Sequence, residues 1–239
     1  HFYGLTASDR VGQYASYGFD ACMMDMYPAL STGAAVCIVP EETRLDLNAM
    51  NDYFIKHRVT LCFLTTQVGR QFAAEMENPY IRAISVGGEK LASMEPPKGI
   101  CFYNVYGPTE CTILVTGYPV RKRESNIPIG KPIDNVKVYV LDPFGHLLPP
   151  GALGELLIAG PHVADGYLNR PEKTAEVFVD NPFDGGEYKK AYKTGDIVRF
   201  RIDGEIEFIG RRDGQVKIHG FRVELFEVVV AVVLAEEVV

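Results

Sequence analysis

The chain has 239 residues, 47% of them hydrophobic and 23% charged, with a formal net charge of −7. That length can bury a full core, as one large domain or two small ones, and the balance is that of a globular protein. The acidic charge argues against nonspecific nucleic-acid binding, which needs basic patches, and the richest apolar run, Val228 to Val239, is too short to cross a bilayer and carries Glu236 and Glu237.

The start, His1-Phe2-Tyr3-Gly4, has neither a basic n-region nor an apolar h-region, so no signal peptide is expected. The lack of an initiator Met points to a piece of something larger. The five cysteines, Cys22, Cys37, Cys62, Cys101 and Cys111, are odd in number, form no CxxC pair and sit in or beside apolar runs. Core thiols in a reducing cytoplasm are expected, with no zinc site and no disulfide framework.

Ala21 to Leu30 has helical character and follows Asp20, a common N-cap residue. Ala35 to Val39 is an apolar run closed by Pro40, as a buried strand would be. Leu47 to His57 has helical spacing, Thr60 to Leu64 is strand-like, and Val68 to Met76 reads as a helix. Ala83 to Val86 reads as a strand stopped by Gly87-Gly88, and Cys101 to Val105 as another. Such alternation predicts a mostly parallel sheet covered by helices over residues 1–118.

The texture changes near Pro119. Short strands follow, Val136 to Leu141 and Gly154 to Ala159, then Ile197 to Arg201 and Ile206 to Ile209 around Asp203-Gly204, a strong hairpin signal. Residues 119–212 therefore read as a small antiparallel barrel or sandwich, and the remainder, 213–239, as a strand pair and a final helix.

Four stretches carry candidate chemistry. Asn104-Val105-Tyr106-Gly107-Pro108-Thr109-Glu110 joins an aromatic, a tight turn, a hydroxyl and a carboxylate just beyond a predicted strand. It could serve a nucleotide, with a ring to stack on a base, a hydroxyl for a phosphate and a carboxylate for Mg²⁺. A turn between two strands explains it almost as well. Gly87-Gly88-Glu89 could admit a flat ligand close to the backbone, or be a plain turn. Asp196, in Tyr192-Lys193-Thr194-Gly195-Asp196, could accept from two adjacent hydroxyls or be solvated in a turn. Asp20 could cap its helix or hold a cation, and Met24, one turn on, shares its face.

Together with Gly210-Arg211-Arg212-Asp213-Gly214-Gln215-Val216-Lys217-Ile218-His219-Gly220, these blocks resemble the adenylate-forming (ANL) superfamily, and most closely the adenylation domains of nonribosomal peptide synthetases. The resemblance implies an α/β adenylation core, a β-barrel subdomain and, from residue 213, a hinge and the start of a C-terminal lid. It implies an ATP-dependent, AMP-forming ligase that uses Mg²⁺ to make an aminoacyl-AMP. The aminoacyl group would pass to the phosphopantetheine arm of a carrier protein among neighbouring synthetase domains, in the cytoplasm, with no nucleic acid or membrane partner.

Residue by residue, the resemblance gives Tyr106 the adenine face and Asn104 its edge, with Gly87, Gly88 and Glu89 flanking the ring and Gly107 in the turn. Thr109 meets the α-phosphate, Glu110 the Mg²⁺, Asp196 the ribose, and Arg211 lies near phosphate or ribose. Asp20 meets the substrate ammonium. Ala21, Met24, Phe63, Ser85, Gly87, Val105, Ile113 and Leu114 line its side-chain pocket, which suits a small or aliphatic apolar amino acid. Asp213 would be the hinge.

The family's Ser/Thr/Gly-rich phosphate loop and lid lysine have no counterpart in this sequence, so the chain alone is expected to be inactive. Tyr27-Pro28 and His219 are also similar to D-alanine–carrier-protein ligases. Acyl- or aryl-CoA ligases are a further alternative, which Asp20 opposes, and a non-catalytic nucleotide-binding remnant or scaffold module is one from another class.

Overall fold

The structure is a computed structural model that describes residues 2–183, 185–212, 216–218 and 221–223, with backbone alone for the last two segments. Asp213, Gly214, His219 and the expected final helix lie outside the described residues.

The strands are β1 (Arg10–Gln13), β2 (Ala35–Ile38), β3 (Leu61–Thr65), β4 (Ala83–Gly87), β5 (Ser93–Met94), β6 (Cys101–Tyr106), β7 (Thr116–Val120), β8 (Glu124–Ser125), β9 (Lys131–Pro132), β10 (Lys137–Leu141), β11 (Gly154–Ala159), β12 (Phe178–Asp180), β13 (Lys190–Phe200), β14 (Ile206–Arg211), β15 (Val216–Ile218) and β16 (Phe221–Val223). The helices are α1 (Ala21–Thr32), α2 (Leu47–His57), α3 (Thr66–Glu75) and α4 (Pro171–Val177). One seven-stranded sheet runs in the order β2-β1-β3-β4-β6-β7-β9. Its first five members pair in parallel, and β7 and β9 add antiparallel strands at one side. This sheet continues to Pro132, so the expected division at residues 118/119 falls inside β7.

The helices cover both faces of the parallel strands. Asp46 caps α2 by accepting from the Asn48 and Ala49 amides. Its Met50 and Phe54 join Cys62, Leu64, Ile84, Val86 and Phe102 in one core, with Phe72 of α3. Each fully buried side chain of this kind contributes roughly 1.5–3 kcal/mol. Alternation along the strands turns Phe63, Ser85 and Val105 to the opposite face, where α1 lies.

The second sheet is antiparallel, with β10, β11 and β13 in order and both β12 and β14 against β13. Among the described residues β10 and β14 do not pair with each other. Its core packs Val140, Leu156, Ile158, Phe178, Tyr192 and Val198 against Cys111 and Val115 from the first sheet's end. The expected strand pair after residue 212 forms as β15 and β16.

Three expectations change. The strand through Ile197 begins at Lys190, so the Tyr192–Asp196 block lies inside β13 and not in a turn. Cys101 is exposed, and the other four cysteines are buried. Asp20 has helical dihedrals and makes no side-chain cap hydrogen bond, so the capping role does not hold.

Candidate functional site

Val105 and Tyr106 end β6 and, as neighbours in a strand, face opposite ways. They divide the site into two halves.

On the Val105 side, Met24, Phe63 and Val105 form one buried cluster, with Ala21, Ile113, Leu114, Phe2 and Tyr103 packed against it. Six of the expected pocket residues thus meet. Gly87 belongs with them: a Cβ there would sit 2.8 Å from the Val105 carbonyl oxygen and 3.4 Å from the Phe63 ring. Ser85 stands between Phe63 and Tyr103 in the sheet register, with its hydroxyl buried. Asp20 is half-buried one turn before Met24. Phe2 and Tyr103 were not foreseen, and nothing in their local sequence marks them.

The wall formed by Ile113 and Leu114 has an unusual backbone. Thr112 and Ile113 are consecutive β-branched residues with φ of 50° and 78°, a region such residues avoid at a cost of order 1–3 kcal/mol each. Gly107 permits this fold-back: a Cβ on it would lie 1.9 Å from the Ile113 carbonyl oxygen.

On the other side, the Tyr106 hydroxyl donates to Asp196 Oδ2. Arg211 Nη1 donates to Asp196 Oδ1 and to the Thr194 carbonyl, both at 2.9 Å. Burial first, and the Asp196 charge second, raise the Tyr106 phenol well above its ordinary value, so it remains a donor. Asp196 is 6% exposed. A bulge aims it: the β11–β13 register shifts between Glu155 and Leu157, and Gly195 takes φ of 71°. Glu155 grips the bulge from both ends, accepting from the Gly195 amide and from Arg212 at 3.0 Å each.

Asn104 donates its amide to the Pro128 carbonyl at 2.8 Å. Thr66, also unforeseen, donates to the carbonyls of Gly87 and Glu89 at 3.1 Å and holds that loop, while Gly88 is exposed with φ of 94°.

Thr109 and Glu110 open a 3₁₀ turn, Thr109–Cys111, with Thr109 exposed and Glu110 buried. Glu110 Oε1 accepts from the Tyr167 hydroxyl at 2.6 Å. No group of three or more His, Cys, Asp or Glu that could cage a metal exists among the described residues. A single carboxylate fits Mg²⁺ only where substrate phosphates complete the shell, which is how that ion is commonly held. The donor set therefore suits a metal–nucleotide complex.

Asp25 is a buried ionisable group that sequence reading passed over, since it stands inside a helix among apolar neighbours. It is 1% exposed and accepts from the Tyr14 and Ala15 amides at 3.2 and 3.4 Å. Burial pushes its carboxyl up to about 8, against the opposing pull of those bonds.

Comparison with known proteins gives a consistent picture. The family model described as AMP-binding enzyme matches residues 1–168. The chain is 47% identical over 221 residues to bacitracin synthase 1 of Bacillus licheniformis, covering 92% of this chain and 4% of that protein. It is 42% identical over 236 residues to surfactin synthase subunit 2 of Bacillus subtilis (strain 168), covering 99% and 6%. Among solved structures, it resembles an NRPS protein containing adenylation and PCP domains bound to a vinylsulfonamide inhibitor, with a TM-score of 0.85 at 27% identity over 94% of this chain and 41% of that one. It also resembles the Vibrio cholerae adenylation domain AlmE in complex with glycyl-adenosine-5'-phosphate, with a TM-score of 0.79 at 30% identity over 95% and 44%. The chain thus spans a few per cent of these curated relatives and under half of these solved chains.

Proposed function

The chain belongs to the AMP-binding enzyme family, and from that premise we propose that it is the central part of an amino-acid-activating adenylation domain. The observation that carries this is the meeting of Tyr106, Asp196 and Arg211. Three sequence blocks converge there, back to back with the apolar cluster of Met24, Phe63 and Val105.

In this reading the full-length protein binds ATP and an apolar amino acid. The substrate carboxylate attacks the α-phosphorus, an oxygen–phosphorus bond forms, and pyrophosphate leaves with the electrons of the bond that breaks. No side chain need become covalently attached. The protein supplies position and charge. Tyr106 and the Gly87–Gly88 backbone bound the adenine, with Asn104 at its edge through the oxygen of an amide whose nitrogen is engaged by the Pro128 carbonyl. Asp196 receives ribose hydroxyls, one of them in exchange for the Tyr106 phenol at Oδ2. Arg211 orients that carboxylate through its bond to Oδ1. Thr109 donates to the α-phosphate, and Glu110 would hold Mg²⁺, which neutralises charge developing on the phosphates.

Asp20 meets the substrate ammonium, and the cluster around Met24, Phe63 and Val105 receives its side chain. An uncharged wall of this kind separates alanine, valine and leucine only coarsely, since one methylene is worth roughly 1–3 kcal/mol. Asp20 favours this reading over an acyl- or aryl-CoA ligase, whose substrate has no cation to pair. The aminoacyl group would then pass to a phosphopantetheine thiol of a carrier protein, as the adenylation–PCP relative suggests. Asp213 would serve as the hinge about which the C-terminal lid turns for that transfer.

The test is amino-acid-dependent ATP–pyrophosphate exchange by the full-length protein over a panel of amino acids. Strongest exchange with alanine, valine, leucine or a similar apolar substrate is expected. A panel dominated by Asp, Lys or Arg overturns the pocket, and no exchange with any amino acid overturns the activity.

A further inference from the structure

Residues 162–167 form a strap between β11 and α4 that crosses from the antiparallel sheet onto the Thr109–Cys111 turn. Among the described residues, three hydrogen bonds join it to that turn. The Thr112 hydroxyl donates to the His162 carbonyl at 2.7 Å. The Ala164 amide donates to the Glu110 carbonyl at 2.9 Å. The Tyr167 hydroxyl donates to Glu110 Oε1 at 2.6 Å.

Tyr167 is itself held on two sides. Its amide donates to the Thr174 hydroxyl of α4 at 2.9 Å, and that hydroxyl also donates to the Arg170 carbonyl. Its ring stands edge-on to Phe178 at 5.5 Å, which in turn packs on Tyr192 at 5.1 Å. A phenol fixed in this way is a directional donor. A short O–H···O⁻ bond of this kind restricts the rotation of the Glu110 carboxylate.

We propose that Tyr167 is a positioning residue for Glu110, holding its carboxylate in the orientation that receives the divalent cation of the metal–nucleotide complex. The proposal rests on the reading of Glu110 given above. It predicts that metal affinity depends on the Tyr167 hydroxyl although that oxygen does not touch the metal. Groups that orient a metal-ligating carboxylate commonly govern tenfold or more in affinity.

The experiment is an electron paramagnetic resonance titration of Mn²⁺ into the full-length protein with a non-hydrolysable ATP analogue. Wild type, Tyr167→Phe and Glu110→Gln are compared, with melting temperatures alongside. Tyr167→Phe keeps the ring against Phe178 and removes only the hydroxyl. The expected result is Mn²⁺ affinity about tenfold weaker in Tyr167→Phe, with unchanged melting and unchanged metal-free binding of the analogue. The apparent Mg²⁺ requirement of exchange should rise in parallel, with the amino acid KM unmoved.

Unchanged Mn²⁺ affinity in Tyr167→Phe, with weakened affinity in Glu110→Gln, overturns the positioning role and leaves Glu110 as the ligand. Unchanged affinity in Glu110→Gln overturns both. Loss of Mn²⁺ affinity accompanied by a lower melting temperature and weaker metal-free nucleotide binding assigns Tyr167 to packing alone, and overturns the proposal.

Discussion

Tyr106 and Asp196 are 90 residues apart in sequence and joined by a hydrogen bond from phenol to carboxylate. The bond links the last residue of a parallel-sheet strand to a bulge in the antiparallel sheet. It brings a ring and an anion to one point, with Arg211 on the anion's other oxygen at 2.9 Å.

That arrangement has a stability consequence. Asp196→Ala removes this acceptor from a buried phenol and the carboxylate partner from Arg211, and should cost about 1–3 kcal/mol. Tyr106→Phe removes one bond but leaves the Asp196–Arg211 pair, and should cost about 0.5–1.5 kcal/mol. Urea unfolding of the two variants would measure this. If Tyr106→Phe proved the more damaging, Asp196 would not be the centre of the cluster.

Asp20 and Asp46 both precede helices, but only Asp46 caps one. Asp46→Ala should lose about 1 kcal/mol of stability, the usual cost of a removed N-cap. Asp20→Ala should leave the unfolding midpoint in place. In the full-length protein it should cut exchange about a hundredfold or more, as expected for an ion pair that substrate binding buries. A variant that lost stability yet kept exchange would reverse the assignment.

Asp25 should make stability fall with rising pH. Its folded carboxyl keeps the proton up to about 8, whereas an unfolded Asp releases it near pH 4. Between those values the native state binds more protons than the unfolded one, so raising the pH favours unfolding. Its stabilising contribution is complete below about pH 4 and is lost as pH rises through about 8. Urea midpoints measured from pH 5 to 9 should decline in wild type and flatten in Asp25→Asn. Parallel curves for the two proteins would rule this out.

The parallel half was legible because hydrophobic runs and helical spacing there are uninterrupted: β3, β4 and β6 lie within a residue or so of their expected bounds. β13 was half-missed because Thr194-Gly195-Asp196 has the composition of a turn, and only the ladder to β11 shows it to be a bulge. Ala21, Met24, Phe63, Val105, Ile113 and Leu114, scattered along the sequence, pack into one cluster. Tyr167 was invisible for a different reason. Its partner is 57 residues away, and no local pattern distinguishes a tyrosine that orients a carboxylate from one that fills a core.

The strap over the Thr109–Thr112 turn bears on how such proteins could be re-engineered. Thr112 and Ile113 hold left-handed conformations at the edge of the Met24–Phe63–Val105 cluster, the proposed side-chain pocket, and the segment that pins Thr112 and Glu110 comes from beyond β11. A graft of residues 20–114 from one relative into another would transplant the pocket without its brace. The recipient's own strap would then decide whether Ile113 and Leu114 settle where the donor had them. Exchanging residues 162–167 together with the pocket moves the wall and its anchor as one unit.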